Sequence, residues 1–591
     1  MVASPRPRLR HVAPTLVDAV RALAGDAERG FVFVRPDGTE RLITFQRMAA
    51  SAARRGASLR ALGLERGDRV ALVIPDGEEF VLSLLAAQFA GLVPVPMFPQ
   101  VSPKNADAYH ATAAHIVRAA GAAVVLTTEA NRALTTPLAD RVEVRRGIVA
   151  VEGLGEESGS VDDPASPDDL ALIQFTSGST SSPKGVAVTH ANLAANAEAF
   201  MIHGLDRDPA VDKGVSWLPL FHDMGLIGFV VGPLFTNVPC VLLPSSSFVR
   251  TPRLWLEKIH QHRGTITYAP TFAYALVAKR LKDKDVADLD LSSLRIAGCG
   301  AEPIRAEALR DFARCLAPAR FDAKAFVPSY GMAEATLAIT FAPLRSGLQT
   351  DAVDLGALGA GTAAPADGGV EVVDCGRAFP EHELAIVDDE GRRRADRQVG
   401  EIVLRGPSVT QGYYGQSELT ARTFKAIAGD RPGDAPWLHT GDLGYTVGPR
   451  LFVCGRAKDV IIVRGRNYYP SDIEWAVGEG SKVRRGNVVA FSVAVDEHGR
   501  IATAHGEEQL VVCCEGGSAD AQGIRDSVSA AVADRFGLTV RDVVVVPPSS
   551  LPRTSSGKPR RRETRQLYLD GALARMNRAS NTDVMDATGL P

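Results

Sequence analysis

The sequence predicts an α/β fold, on three observations. Short runs of branched apolar residues recur along the chain. Helical patterns lie between them, and glycine- and proline-rich turns separate the two. The chain has 591 residues, too many for one core; the length suggests about four core-sized units.

Arg69–Pro75 reads as a strand, with a helix from Glu78. The apolar run Phe80–Phe98 imitates a membrane span, but Ser83, Gln88, Gly91, Pro94 and Pro96 interrupt it. A helix over Phe80–Ala90 and a buried strand after Gly91 explain it better, so no membrane span is expected. Ala111–Ala120 reads as a helix and Ala122–Thr128 as a strand. Pro239–Pro244 and Gly264–Pro270 continue the strand series, in largely parallel sheets. Gly356–Gly369 is rich in Gly, Ala and Pro and reads as an irregular loop. Its Gly359-Ala360-Gly361 run resembles a dinucleotide fingerprint, but no strand pattern precedes it and no helix pattern follows.

A second, smaller unit begins after Arg456. Strands are expected at Asn487–Val495, Gln509–Cys514 and Val543–Pro547. A helix over Ala521–Phe536 places Ile524, Val528, Val532 and Phe536 on one face.

Apolar residues make up 45% of the chain and charged residues 23%, an ordinary globular composition. The formal net charge is -3, from 66 basic and 69 acidic side chains, so nothing draws the whole molecule to nucleic acid. Seven scattered cysteines without a C-x-x-C pair argue against a disulfide framework or zinc site and fit a reducing cytoplasm. No apolar signal segment follows the N-terminal Met-Val-Ala-Ser-Pro-Arg.

The most informative local segment is Gln174–His190, with Thr176, Ser177, Gly178, Ser179, Thr180 and Lys184 at its centre. Glycine lets backbone N–H groups turn toward an anion, hydroxyls add donors, and a lysine supplies charge for polyphosphate. The Walker A spacing is missing, and on composition alone the segment is equally a flexible Ser/Gly loop. Other segments carry possible chemistry. Ser216–Gly228 contains His222, which can sit against a carboxylate or phosphate or fill a structural place. Ala297–Pro303 puts small residues after a strand, where a flat ring can approach the backbone. Ser329–Leu337 contains Tyr330, able to stack, and Glu334, able to hold Mg²⁺. His439–Gly444 contains Asp442, a carboxylate that can accept both ribose hydroxyls or simply form a turn. Leu551–Arg562 is a basic cluster around Lys558.

These segments, in this order, resemble the adenylate-forming superfamily, and most closely its fatty acyl-AMP ligases. The resemblance runs from about Pro14 to beyond Arg562. The stretch Arg464–Glu474 (RGRNYYPSDIE) and Gly178-Ser179-Thr180-Ser181, where acyl-CoA ligases usually have Gly-Thr-Thr-Gly, favour the acyl-AMP ligases.

The resemblance implies a large N-terminal domain of packed α/β subdomains over 1–457, with an insertion around 340–372. A small mobile α+β C-terminal domain then spans 458–591, with Lys458 at the hinge. It implies ATP and Mg²⁺ as cofactors, the metal held through Thr176 and Glu334. Adenine would lie against Gly300, Ala301 and Glu302 and against Ser329, Tyr330, Gly331 and Met332; Asp442 and Arg456 would hold the ribose. Ser177, Gly178, Ser179, Thr180 and Lys184 would bind phosphates. His222 would border the acyl carboxylate, Met224–Gly228 would line the acyl entrance, and Lys558 would be the catalytic lysine.

The implied reaction makes acyl-AMP from a fatty acid and ATP, releases pyrophosphate, and passes the acyl group to the phosphopantetheine thiol of a separate acyl carrier protein. No carrier attachment motif follows Lys558. Alternatives are an acyl-CoA ligase, an enzyme adenylating an aryl or amino acid, and a non-catalytic acyl- or nucleotide-binding homologue. Lys558 and Glu334 are both present, which speaks against the last, and no G-x-S-x-G elbow supports a hydrolase.

Overall fold

The computed structural model describes residues 12–100, 106–155, 161, 164–176, 182–464, 466–484, 486–496, 498, 500, 501, 507–517, 520–554, 557–573 and 575. Among them the largest sheet has nine strands. Its order is Arg377–Ala378, Ala338–Phe341, Phe326–Gly331, Ile296–Cys299, Ile266–Ala269, Gly214–Ser216, Cys240–Leu242, Gly30–Val34 and Glu40–Thr44. The strands from Phe326–Gly331 to Gly30–Val34 pair in parallel, and both edges close antiparallel.

A second, wholly parallel sheet joins Val93–Pro96, Arg69–Leu72, Ala122–Thr127 and Ile148–Ala150. Between its strands run the helices Gly77–Phe89 and Ala106–Ala120. The apolar run at Phe80–Phe98 is thus a helix buried along most of its length, then a strand. The Asp76 side chain caps that helix by accepting the Glu79 N–H. Among the described residues no helix is long and apolar enough to cross a membrane.

The expectation of largely parallel sheets fails in a third region. Glu383–Val387, Gly400–Arg405, Phe424–Lys425, Trp437–Val447 and Arg450–Arg456 form a five-stranded antiparallel sheet. Hairpin turns join several of these strands, as at Gly448, where no helical crossover fits. The insertion is also more ordered than a loop. Thr350–Val353 and Val370–Val373 pair antiparallel, and between them Leu355–Gly359 forms a helical turn capped by Asp354.

The chain after Val460 builds its own apolar clusters. Ile473, Val477, Leu510, Val512, Ile524, Val528 and Val532 pack between the sheet Val488–Val495, Glu507–Glu515, Val540–Val546 and the helices Pro470–Gly480 and Ala521–Phe536. The helix expected at 521–536 lies there, with Ile524, Val528 and Val532 buried and Phe536 packed beside them. One contact of this small core with the rest of the chain is made by the insertion, where Leu355, Gly356 and Gly359 lie against Arg466, Asn467, Tyr468 and Phe536.

Candidate active site

The strand Leu170–Thr176 pairs antiparallel with Lys184–Thr189, and the segment expected to bind phosphates lies between them in sequence. Ser177, Gly178, Ser179 and Thr180 lie outside the described residues. The two ends of the loop are in place. Thr176 is half-buried at the end of one strand, and Lys184 begins the other.

Lys184 points its Nζ over the ring of Tyr413, 5.3 Å from the centroid. The Tyr413 hydroxyl donates to Glu334 Oε1 at 2.8 Å. Tyr414 N–H donates to the Gly185 carbonyl at 2.8 Å, so the tyrosine segment is stitched to the strand that Lys184 opens. Burial raises the Glu334 pKa above the ordinary carboxylate value, against the lowering effect of the Tyr413 hydrogen bond. Burial likewise lowers Lys184, and the nearby Lys458 charge lowers it further.

The backbone that presents Glu334 is strained. Thr336 has φ of 71°, ψ of -63° and a Leu337 N–H to Ala335 carbonyl bond of 2.9 Å, a γ-turn rarely adopted by a β-branched residue. The buried Thr336 hydroxyl holds the turn by donating to the Ser408 carbonyl at 2.6 Å. Ala301, at φ of 68°, is similarly unusual beside Glu302. Gly331 must be glycine, because a Cβ there would lie 2.0 Å from the Leu337 carbonyl oxygen. Gly300 runs close to the strand that carries Ser329, whose carbonyl oxygen a Cβ would meet at 3.0 Å. Ser329 Oγ donates to the Val327 carbonyl at 2.9 Å, and Met332 packs partly buried beside Tyr330.

A second group lies on the antiparallel sheet. Tyr330 OH donates to Asp442 Oδ2 at 2.8 Å, and Arg456 Nε donates to Asp442 Oδ1 at 3.0 Å. Asp442 pairs directly across the strands with Arg456, one residue after Gly441, whose φ is 72°. Asp442 holds Arg456 above its ordinary pKa, and burial pushes Tyr330 well above its own. Each carboxylate oxygen of Asp442 keeps capacity for a second donor.

The third group surrounds Lys558. His222 Nδ1 lies 2.6 Å from Asp223 Oδ1, and Met224 N–H donates to the same oxygen at 2.7 Å. The contact occupies Nδ1 and leaves Nε2 for a further one. Burial would raise Asp223, but His222 and Lys558 more than offset it and hold the carboxyl below its usual value. Glu302 is raised by burial, although its Oε1 accepts the Phe272 N–H at 2.7 Å and Lys558 and Arg305 oppose the shift.

Lys558 sits in a tight turn: its N–H donates to Thr554 Oγ1 at 3.0 Å, and Thr554 N–H donates to its carbonyl at 2.8 Å. Burial in the cleft lowers the Lys558 pKa, while the charges of Asp223 and Glu302 oppose that. The structure therefore brings Lys558, His222 and Glu302 to one place, and Lys184, Lys458, Glu334 and Arg456 act on one another beside it. Sequence reasoning did not single out Tyr413. It lies between glycines in Gln411–Gly415, where an aromatic pair reads as loop packing.

A cleft that gathers buried carboxylates opposite lysines, next to an aspartate held between a tyrosine and an arginine, suits an anionic substrate that also bears hydroxyls. Comparison with known proteins agrees. The AMP-binding enzyme family matches residues 21–414. The long-chain-fatty-acid–AMP ligase FadD32 of Mycolicibacterium smegmatis is 35% identical over 591 aligned positions, covering 93% of this chain and 92% of the relative. A protein of Caulobacter vibrioides provisionally named an acyl-CoA synthetase is 36% identical, covering 94% of this chain and 96% of its own. Among solved structures, one from a study of fatty acyl-adenylate ligases of E. coli and L. pneumophila superposes with a TM-score of 0.85 at 34% identity, over 95% of this chain and 99% of its own. This chain belongs to the AMP-binding enzymes, and within them to the fatty acyl-AMP ligases.

Proposed function

We propose that the chain activates a fatty acid with ATP to acyl-AMP and pyrophosphate, then delivers the acyl group to the phosphopantetheine thiol of a separate acyl carrier protein. The observation that carries this reading is the placement of Lys558 in the cleft against Asp223 and Glu302, beside the Tyr330–Asp442–Arg456 group.

The first step sets one anion against another, because a carboxylate must approach the α-phosphate in line. Lys558 places a positive charge where the acyl and phosphate oxygens meet, and its low-dielectric surroundings strengthen that charge's effect. His222, oriented by Asp223, borders the acyl carboxylate. Asp442 and Arg456 take the ribose hydroxyls, and Tyr330 and the Gly300–Glu302 segment border the base. Lys184 and the backbone of the phosphate loop hold the outer phosphates until pyrophosphate leaves.

Glu334 fits a Mg²⁺ ligand: it is buried, it has no ion-pair partner among the described residues, and Tyr413 holds it by one oxygen. With the Thr176 hydroxyl it would hold the ion, which would supply positive charge against the phosphates. Residues 1–457 would form the adenylation domain and 458–591 a mobile domain hinged at Lys458, consistent with the separate apolar core after Val460. The seven free thiols suit a cytoplasmic setting.

The name of the Caulobacter relative favours coenzyme A as a second candidate acceptor. The activation step is tested by pyrophosphate release from the purified chain with ATP, Mg²⁺ and a fatty acid. Release that depends on the fatty acid and on Lys558 supports the reading; fatty-acid-independent release sinks it.

A further inference from the structure

The large and small cores meet at a contact that involves neither substrate nor insertion. Arg305 Nη1 lies 2.7 Å from Asp472 Oδ1, and both side chains are 18% exposed. The same guanidinium stands over the ring of Trp475, 5.7 Å from its centroid. Arg305 is three residues beyond Glu302, whose carboxylate faces Lys558. Asp472 and Trp475 are on the helix Pro470–Gly480, the first helix of the small core.

That helix also grips the segment carrying Lys558. Glu474, between Asp472 and Trp475, accepts from Arg561 Nε at 2.8 Å and Nη2 at 2.6 Å. Arg561 Nη1 reaches Asp459 at 3.2 Å, beside Lys458. Arg561 is three residues beyond Lys558 and opens the helix Arg561–Leu569. One helix therefore holds the large core with Asp472 and Trp475 and holds the lysine segment with Glu474.

We propose that Arg305 is a positioning residue: by clasping Asp472 and Trp475 it fixes the helix Pro470–Gly480, and through Glu474–Arg561 that helix sets Lys558 in the cleft for the adenylation step. The clasp is suited to release as well as closure. Arg305 Nη2 is buried without a hydrogen-bond partner among the described residues, so the closed contact leaves one donor unsatisfied. Its charge also lies near Glu302 and lowers that residue's affinity for a proton.

The proposal rests on the adenylation reading given above, and its test separates the two. Arg305→Ala and Asp472→Asn variants of the full chain are compared with the parent in two assays. The first is pyrophosphate release with ATP and a fatty acid; the second is acyl transfer from supplied acyl-AMP to a holo carrier protein. Arg305→Ala is expected to lower the rate of release by about 10²-fold, as a misplacement of about 1 Å can. KM for ATP and the transfer step should stay within about twofold, since neither needs the lysine in place. The charge swap Arg305→Asp with Asp472→Arg should recover much of the loss.

Labelling of Lys558 by an amine-acetylating reagent, read by mass spectrometry, gives a second measurement that needs no turnover. Label should enter faster in Arg305→Ala than in the parent. Equal loss in both half-reactions, or unchanged Lys558 labelling, would overturn the proposal. A parent that releases no pyrophosphate would instead count against the adenylation reading, and the labelling result would still decide the clasp.

Discussion

The Tyr413 hydroxyl donates to Glu334 at 2.8 Å while the same ring lies beneath Lys184. A single aromatic residue thus orients the acid expected to hold Mg²⁺ and the lysine expected to hold phosphates. Tyr413→Phe keeps the ring but frees the carboxylate. A hydrogen bond to a charged group contributes about 1.5–3 kcal/mol, so adenylation should fall by about one to two orders of magnitude at limiting Mg²⁺. Excess Mg²⁺ should recover part of it. A Mg²⁺ titration of pyrophosphate release checks this, and an unchanged curve would remove Tyr413 from the metal site.

Lys558→Ala should cut adenylation by at least about a hundredfold, comparable to losing one preorganised donor. The parent enzyme should show a related pH effect. Burial lowers the Lys558 pKa, so the charged form is present at low pH and is lost as pH rises through that lowered value. The alkaline limb of kcat/KM for the first step should therefore fall below the range of an ordinary lysine. A limb at the ordinary position would mean that the cleft does not enclose the group.

Asp442→Asn leaves Arg456 without its charge partner and weakens the bond from Tyr330. The expected result is a rise in Kd for ATP of about tenfold or more, at roughly 1.5–3 kcal/mol per lost charged hydrogen bond. Equilibrium ATP binding to the parent and the variant measures it.

Gly298 tests the packing behind the site. A Cβ there would lie 2.0 Å from the Tyr268 ring, which reaches Ser329 Oγ at 3.4 Å. Gly298→Ala should destabilise the large core by about 1–3 kcal/mol, the usual cost of overpacking. The midpoint of chemical unfolding, followed through the buried tryptophans, reads the change.

Sequence order alone singled out Thr176 and Lys184, Tyr330 and Glu334, Asp442 with Arg456, and Lys558 as the residues to examine together. Each lies in a short segment whose residue types limit what it can do. What stayed hidden were pairings across long separations. Tyr330 and Asp442 are 112 positions apart, and nothing local tells the tyrosine to donate to that aspartate. Tyr413 was not singled out, because its meaning comes from Glu334 and Lys184 in other elements. The small helical turn at Leu355–Gly359 was also missed: five residues with two glycines carry no helical period, and the turn holds through the Asp354 cap and contact with the small core.

That contact supports a prediction about the acceptor. Gly359 packs so closely that a Cβ would lie 2.9 Å from the Asn467 carbonyl oxygen, and the insertion is expected to limit how the small core can move. Deleting Ala357–Gly368 leaves both strands of the hairpin and should raise acyl-CoA formation when coenzyme A is offered. Unchanged acyl-CoA yield would rule out the insertion as the barrier.

The most direct measurement incubates the purified chain with ATP, Mg²⁺ and a ladder of fatty acids and follows products by mass spectrometry, before and after adding a holo carrier protein or coenzyme A. The account predicts acyl-AMP that moves to the carrier and not to coenzyme A, with one range of chain length preferred. Absence of acyl-AMP from every fatty acid, or efficient conversion to acyl-CoA, would contradict it.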